Sequence, residues 1–235
     1  MAIHPFLAMT AAEISGSSCL PPKIGWMACH FSPYSTGLSN SPMGLPQNSL
    51  LILNDITPIH GHDNKTIAAQ LEECVLKHKC SAVLLDFQRP DCEETAILAA
   101  FLANALPCPT VISALYGKDL DCPVLLPPVP HHVPLADYLL PWAGQEIWLE
   151  LALDSERILV TEEGSRITTL SSWDAVEAEH EENGLHCHYH IALSDDAVSF
   201  TLRRTKEDLL DLLTEAESLG ISNAVGLFQE LREWK

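Results

Sequence analysis

Two polar side chains at the end of an apolar run offer the clearest chemistry in this sequence. Asp86 and Gln88 follow the run Ser81–Leu85, two positions apart and directly before Arg89. Side chains two apart on a strand point to the same side. A carboxylate accepts hydrogen bonds, whereas a glutamine amide both donates and accepts them but cannot serve as a general acid. The pair is therefore suited to binding a polar ligand, and Arg89 is a further candidate contact.

Two other carboxylates could supply the acid that a glutamine cannot. Asp55 follows the apolar run Leu50–Leu53 and Asn54, and Glu150 ends the segment Trp148-Leu149-Glu150. Either one could act as a catalytic acid, and Asn54 could contact a ligand. The alternative for Asp55 is a structural Asx turn. The sequence leaves both interpretations open.

Histidines close to Asp55 suggest a metal site as another alternative. His60 and His62 follow within a few residues, and imidazole and carboxylate groups bind divalent metals. The competing interpretation is a solvated loop in which Asp63 caps the next helix. A metal-assisted hydrolase at Asp55, His60 and His62 is therefore an alternative, although we predict neither a bound metal nor a cofactor.

A second group of histidines alternates along one segment. His186, His188 and His190 would share one face of a strand. The outer two would lie about 13 Å apart on a flat strand, which is too wide for one ion. A solvated hairpin face is favoured over a metal site.

The elements that must position these residues alternate between strands and helices. Residues 1–22 are expected to be a loop, followed by apolar strands and by helices with capping signals at Asp63, at Asp91-x-x-Glu94 and at Thr205-x-x-Asp208. The strands expected in the barrel are 24–31, 50–53, 81–86, 109–115, 124–126, 145–152, 197–202 and 223–228. Helical crossovers require parallel pairing.

The fold class that follows is α/β, a degenerate (β/α)8 TIM-like barrel with an antiparallel insertion late in the chain. We expect one domain over 1–235 and a β-rich insertion at 153–195, with a hairpin turn at Glu162–Ser165. Residues 173–183 are expected to be a surface loop or a short helix. In such barrels, the C-terminal ends of the strands carry the active site, where Asp86 and Gln88 would lie.

Two segments resemble one known family. The run from Ser81 to Gln88 resembles the fourth-strand signature of chitinase-like enzymes in glycoside hydrolase family 18. The run from Ala197 to Phe228 is similar to the last strand–helix–strand unit of that family, especially in its bacterial spore-wall branch. The resemblance covers only part of the chain and implies a TIM barrel.

The resemblance also implies roles for single positions. Asp86 falls on the family's last aspartate and Gln88 on its proton-donating glutamate, which protonates the glycosidic oxygen while the substrate's acetamido group attacks. Ser81 and Leu84 fall where the family has further aspartates. Phe228 falls on a sugar-stacking tryptophan, and the adjacent Gln229 is another candidate for substrate binding.

The function implied is binding of a glycan or a related polar small molecule, with hydrolysis weak or lost. The alternative is an active glycoside hydrolase that uses Asp55 or Glu150 as its acid, and a simple interaction module with a vestigial pocket is a further alternative. Among the aromatic residues, Tyr116 is the best candidate to stack on a sugar because it follows a strand directly. Trp26, Trp142 and Trp148 are more typical of a core.

The net charge indicates which partners are disfavoured, and the cysteine content indicates where in the cell the protein is expected. The net charge is −19 with only 13 basic residues, which argues against binding to nucleic acid or to an anionic membrane. No signal peptide is expected. Eight cysteines without a Cys-x-x-Cys pair suggest reduced thiols and a cytoplasmic protein. The oligomeric state is left open.

Overall fold

The computed structural model describes residues 3–39, 44–170 and 180–232. Its strands, in chain order, are β1 Phe6–Met9, β2 Ile24–Phe31, β3 Leu38–Ser39, β4 Leu50–Asn54, β5 Ala82–Asp86, β6 Thr110–Ser113, β7 Val124–Leu126, β8 Ile147–Leu151, β9 Ser155–Thr161, β10 Gly164–Leu170, β11 His180–Glu182, β12 Cys187–Leu193, β13 Ala197–Arg203 and β14 Asn223–Leu227. Its helices are α1 Ala11–Gly16, α2 Asn64–His78, α3 Glu93–Leu102, α4 Ala114–Gly117, α5 Leu135–Leu139, α6 Lys206–Ser218 and α7 Phe228–Leu231, with a 3-10 turn at Leu140–Trp142.

Eight parallel strands close into a barrel in the order β1-β14-β8-β7-β6-β5-β4-β2, and β1 also pairs with β2. Strand β3 adds an antiparallel edge beside β2. The predicted TIM-like α/β barrel is confirmed. Several crossovers hold only short helices, such as the four-residue α4.

One barrel strand was missed and another was misassigned. Residues 1–22 were expected to be a loop, but they contain β1 and α1, and β1 is fully buried between two parallel neighbours. Its four residues are too few to show a period, so the pairing on both sides determines the strand. Residues 197–202 were counted in the barrel, but β13 pairs with β9 and β12 in a separate sheet.

Side chains along the barrel strands point alternately inward and outward, and the inward ones fill the barrel interior. Inward-facing apolar side chains form one cluster, in which Phe6 stacks on Trp148 with ring centroids 5.6 Å apart. The alternate residues, such as Leu51 and Leu53, face outward and pack with the helices. Because this period is two, Asp86 continues the inward row of Leu84, and Glu150 continues that of Trp148.

Helix α6 begins as the sequence predicts, whereas α3 does not. Thr205 and Asp208 form a capping box, and Leu209 and Leu212 of this helix are buried. The box predicted at Asp91-x-x-Glu94 is wrong. Cys92 is the N-cap residue of α3, and Asp91 adopts a left-handed φ of 56°, so its side chain cannot cap the helix.

An antiparallel sheet in the order β10-β9-β13-β12-β11 lies between β8 and α6 in the chain. The predicted hairpin is present, with Thr161 paired to Gly164. The sheet covers Ser155 to Arg203, so its strand β13 lies beyond the predicted insertion range of 153–195. Of the segment 173–183, residues 173–179 lie outside the described residues and 180–182 form β11.

A buried arginine connects this second sheet to the barrel. Arg204 is only 3 % exposed, and its guanidinium donates to the carbonyl oxygens of Val129 and Pro130 after β7 and of Leu185 and His186 before β12. These charge-assisted bonds hold the turn of the sheet against the barrel loop.

Glu156 joins the same two parts of the chain. Its carboxylate accepts a hydrogen bond from the backbone N–H of His131 at 3.1 Å and lies 2.8 Å from Nδ1 of His132. Burial raises the pKa of Glu156, but the hydrogen bonds and charges of the two histidines outweigh that effect and lower it to about 2. The second sheet is therefore held against the loop that follows β7 by charge-assisted hydrogen bonds.

Candidate functional site at the barrel mouth

Two carboxyl groups form the last inward-facing layer at the C-terminal end of the barrel. Asp86 ends β5, and Glu150 is the second-last residue of β8. Both line a central cavity of about 50 Å³. The remaining lining is mostly apolar and includes Ile52, Leu84, Leu125, Val225 and Leu227. The strand ends thus place two acidic groups over an apolar floor.

Asp86 and Gln88 lie side by side, as their spacing predicts. Nε2 of Gln88 donates to Oδ1 of Asp86 at 2.5 Å, and Gln88 is exposed. Burial raises the pKa of Asp86, the hydrogen bond from Gln88 opposes this shift, and the nearby charge of Asp55 adds to it. Because the amide nitrogen faces Asp86, the orientation of the Gln88 side chain is fixed.

Glu150 has the more strongly perturbed carboxyl group. Burial raises its pKa to about 7, and the negative charges of Asp86, Glu230 and Asp154 contribute to the increase. Each of these neighbours is acidic. A carboxylic acid with this pKa is partly protonated near neutral pH, so it can donate as well as accept a hydrogen bond.

A second cavity, of about 290 Å³, opens beside the central one. It is lined by Gln88 and Glu150 together with apolar residues that include Pro90, Leu115 and Pro127. Glu150 therefore lines both cavities. The arrangement offers apolar walls with a few convergent polar groups, which is typical of small-molecule sites.

The structure assigns Asp55 to support of the loop after β5. Asp55 is 3 % exposed, and its two carboxylate oxygens accept the backbone N–H groups of Gln88 at 3.0 Å and Arg89 at 2.9 Å. Asp55 is not among the residues that line the central cavity or the second cavity. Asp55 is thus a structural residue of another kind than the Asx turn considered from the sequence, because its bonds reach the loop after β5, and the Asx-type bond to the N–H of Ile56 is made by Asn54.

Arg89 and Asn54 also serve the loops. Arg89 donates to the backbone oxygens of Asp55 at 2.8 Å and Ile56 at 2.7 Å. Asn54 is buried, donates to the carbonyl oxygen of Met27 and accepts from the N–H of Ile56, both at 3.3 Å. The ligand contacts expected for Arg89 and Asn54 would require these bonds to break.

Tyr116 and the two residues that follow β14 are not among the residues that line the two cavities. The hydroxyl of Tyr116 donates to the carbonyl oxygen of Arg89 and accepts from the N–H of Cys92, so its ring braces the loop. Phe228 packs against the outer apolar cluster, and Leu227 lines the central cavity in its place. Gln229 is exposed and hydrogen-bonds to Glu13.

His62, one of the two histidines proposed as metal ligands, has other partners. Nδ1 of His62 accepts from the N–H of His60 at 3.0 Å, so Nε2 carries the proton and donates to the carbonyl oxygen of Ser32. With Asp55 engaged by backbone N–H groups, the metal-assisted alternative gains no support. Across residues 3–39, 44–170 and 180–232, no three His, Cys, Asp or Glu side chains form a metal-binding group.

Two of the three alternating histidines contact helix α6. Nε2 of His186 lies 2.5 Å from Oε2 of Glu215, and Nε2 of His188 lies 3.4 Å from Oδ2 of Asp208. Nδ1 of His190 is buried without a hydrogen-bond partner. The segment is therefore packed against a helix and is not the solvated hairpin face that was expected.

The sequence-based reasoning missed two acidic neighbours of Glu150. Asp154 follows β8, and Glu230 lies in α7, where its carboxylate also accepts the N–H of Leu153 at 2.9 Å. Both raise the pKa of Glu150. The only available signal was position, since each follows the end of a strand on the side where barrel sites form.

Solved structures with the same fold include glycoside hydrolases. The spore cortex-lytic enzyme SleL of Bacillus cereus superposes with a TM-score of 0.57 at 8% identity, covering 95% of this chain and 70% of its own. The class V chitinase of Nicotiana tobaccum gives 0.61 at 10% identity, covering 96% and 93%. A GH18 chitinase mutant of Cycas revoluta in complex with (GlcNAc)4 gives 0.58 at 10% identity, covering 96% and 94%.

These likenesses define the class of fold. No family model matches the sequence, and no curated protein does so either. The resemblance to chitinase-like glycosidases is thus confirmed at the level of the fold, including the spore-wall branch. Among the helices that the structure describes, none has the length and apolar character to cross a bilayer.

Proposed function

We propose that the barrel mouth binds a glycan or a related polar small molecule, and that hydrolysis there is weak or lost. The observation that carries the proposal is the hydrogen-bonded pair of Asp86 and Gln88 at the open end of a glycosidase-like barrel. A cytoplasmic location stays a prediction from the sequence.

The chemistry of the pair supports binding more than turnover. The Asp86 carboxylate can accept a hydrogen bond from a sugar hydroxyl or amide N–H. The Gln88 amide oxygen, which is not the atom bonded to Asp86, can accept another. Loss of a general acid at this position removes about 10²–10⁴-fold of rate, and a glutamine has no proton to transfer.

The charge and size of the mouth restrict the ligand. The charged groups that raise the pKa of Glu150 are all carboxylates, so a phosphorylated or otherwise anionic ligand would be repelled. The larger cavity, about 290 Å³, is at the lower limit of ordinary ligand pockets. A neutral ligand of one or two rings, or the end of a longer glycan, fits these limits.

One structural neighbour adds support. The Cycas revoluta chitinase in complex with (GlcNAc)4 is a mutant in which one glutamate is replaced by glutamine. A glutamine in place of a glutamate is therefore compatible with oligosaccharide binding in this fold.

Thermal unfolding with N-acetylglucosamine oligomers tests the proposal. At ten times the Kd, a ligand adds about 1.4 kcal/mol of stability, which raises the Tm of a chain of this size by about 3–6 °C. Wild type should show this shift and Asp86→Ala should not. Asp121→Ala removes an exposed carboxylate before β7, at the opposite end of the barrel, and should retain it. No shift in wild type across a broad panel of neutral glycans would refute the proposal.

A second variant tests whether hydrolysis was lost through Gln88. Gln88→Glu restores a carboxyl group two positions from Asp86, so turnover of a chromogenic N-acetylglucosaminide should rise by at least about tenfold. The matched variant Gln145→Glu lies at the opposite end, where the amide donates to carbonyl oxygens near Gly117, and should not raise turnover. Unchanged turnover in Gln88→Glu would show that the glutamine at position 88 is not the reason for weak or absent hydrolysis.

A further inference from the structure

Among the residues that the structure describes, Glu150 is the one acidic residue that lines both cavities at the barrel mouth. Glu150 lines the central cavity together with Asp86 and the second cavity together with Gln88. Its strand β8 pairs with β7 and β14 on its two sides, so the backbone that carries Glu150 is part of the barrel wall. A ligand that contacts Gln88 in the second cavity therefore lies beside the Glu150 carboxyl group as well.

We propose that Glu150 is the proton donor of this mouth, taking the role that Gln88 cannot fill, for slow cleavage of a glycoside bound in the second cavity. This inference rests on the proposed glycan site and names the residue that acts in it. In this proposal the general acid lies at the end of β8, whereas the family resemblance would place it just after β5, at position 88.

The cleavage step balances with water as the only co-reactant. The Glu150 carboxyl group gives its proton to the bridging oxygen of the glycosidic bond. The bond between that oxygen and the anomeric carbon breaks, and its electron pair stays with the oxygen. Water forms the new bond to the anomeric carbon and passes its extra proton to the Asp86 carboxylate. Exchange with solvent then restores both carboxyl groups.

The surroundings of Glu150 support the protonated form that a donor needs. The groups that face it are Asp86 from β5, Asp154 from the loop after β8, Glu230 from α7 and the phenol of Tyr138 from α5. None of the four is a cation. Burial and the three carboxylates raise the pKa of Glu150 to about 7, so a protonated fraction exists at neutral pH.

Glycosides with different leaving groups test the proton transfer. A 2,4-dinitrophenyl leaving group departs without protonation, whereas methanol requires it. With the two corresponding glycosides of N,N'-diacetylchitobiose, Glu150→Gln should lower kcat by about 10²–10⁴-fold for the methyl glycoside and by less than about tenfold for the dinitrophenyl glycoside. Wild-type kcat for the methyl glycoside should fall as pH rises through about 7, and Glu150→Gln should lack this decline.

A matched control and the contrary results complete the test. Glu146→Gln makes the same change just before β8, at the other end of the strand, where the carboxylate accepts from Nε1 of Trp148 at 3.3 Å; both rates should stay at the wild-type level. Equal loss on both substrates in Glu150→Gln, or no loss on either, would overturn the inference. Wild type that binds chitooligosaccharides but cleaves neither glycoside would overturn it too, while leaving the proposed binding function intact.

Discussion

Removal of the Asp55 carboxylate should destabilise the protein through the loop that carries Gln88. Asp55 is 3 % exposed, and its oxygens accept the N–H groups of Gln88 at 3.0 Å and Arg89 at 2.9 Å. Hydrogen bonds to a charged group contribute about 1.5–3 kcal/mol each. In Asp55→Ala both donors lose their partner inside the protein, so we expect a loss of about 3–5 kcal/mol in the free energy of unfolding.

Urea unfolding at pH 7 measures this loss, and two variants serve as comparisons. Asp55→Asn keeps the shape of the side chain but retains only one good acceptor, so its loss should lie between wild type and Asp55→Ala. Asp63→Ala removes an exposed carboxylate that also accepts two hydrogen bonds, both from Thr66. Its loss should be clearly smaller, because water can replace the exposed cap.

The result that refutes this reasoning is a loss in Asp55→Ala no larger than that in Asp63→Ala. An outcome in which Asp55→Asn keeps full stability but abolishes any glycoside hydrolysis would instead support the acid role that the sequence left open. The assay thus separates support of the loop from chemistry at the mouth.

Two further predictions concern the contacts that connect the second sheet to the barrel. Arg204→Met leaves four carbonyl oxygens without their donor and should lower the free energy of unfolding in urea by about 3–5 kcal/mol. Arg204→Lys should restore only part of this stability, because an ammonium group cannot reproduce the forked geometry of the guanidinium. Complete restoration of stability by lysine would contradict this explanation. The pKa of Glu156 is about 2 in the folded protein, below its ordinary value of 4.5, so its stabilising contribution is complete above about pH 4.5 and is lost as pH falls toward 2. Urea midpoints of Glu156→Gln should therefore decline less than those of wild type between pH 5 and pH 3, and parallel declines would show that Glu156 is not responsible.

Local patterns in the sequence were sufficient to predict many of the strands and helices of the barrel. The apolar runs predicted strands such as Ile24–Phe31, which the structure contains with the same bounds. The capping box at Thr205 and Asp208 predicted the start of α6. These features depend on neighbours a few residues apart, so a single sequence reveals them.

The same holds for one part of the candidate site. Asp86 and Gln88 had to share a side because the period of a strand is two, and the structure places them in hydrogen-bond contact. Their roles in function stay a prediction. The strand β1 was missed because four apolar residues have no distinctive period, and only the pairing with β2 and β14 makes them a strand.

What the sequence by itself determined is the alternation of strands and helices and the position of a polar pair at one strand end. Only the tertiary structure decided that Asp55 supports a loop, that Phe228 packs outside the barrel, and that Glu150 meets Asp86 at the mouth. The physical reason is that proton affinity and hydrogen-bond partners depend on burial and on charges from distant parts of the chain. Closure of the barrel brings β5 and β8 to one mouth, and no spacing along the chain records that approach.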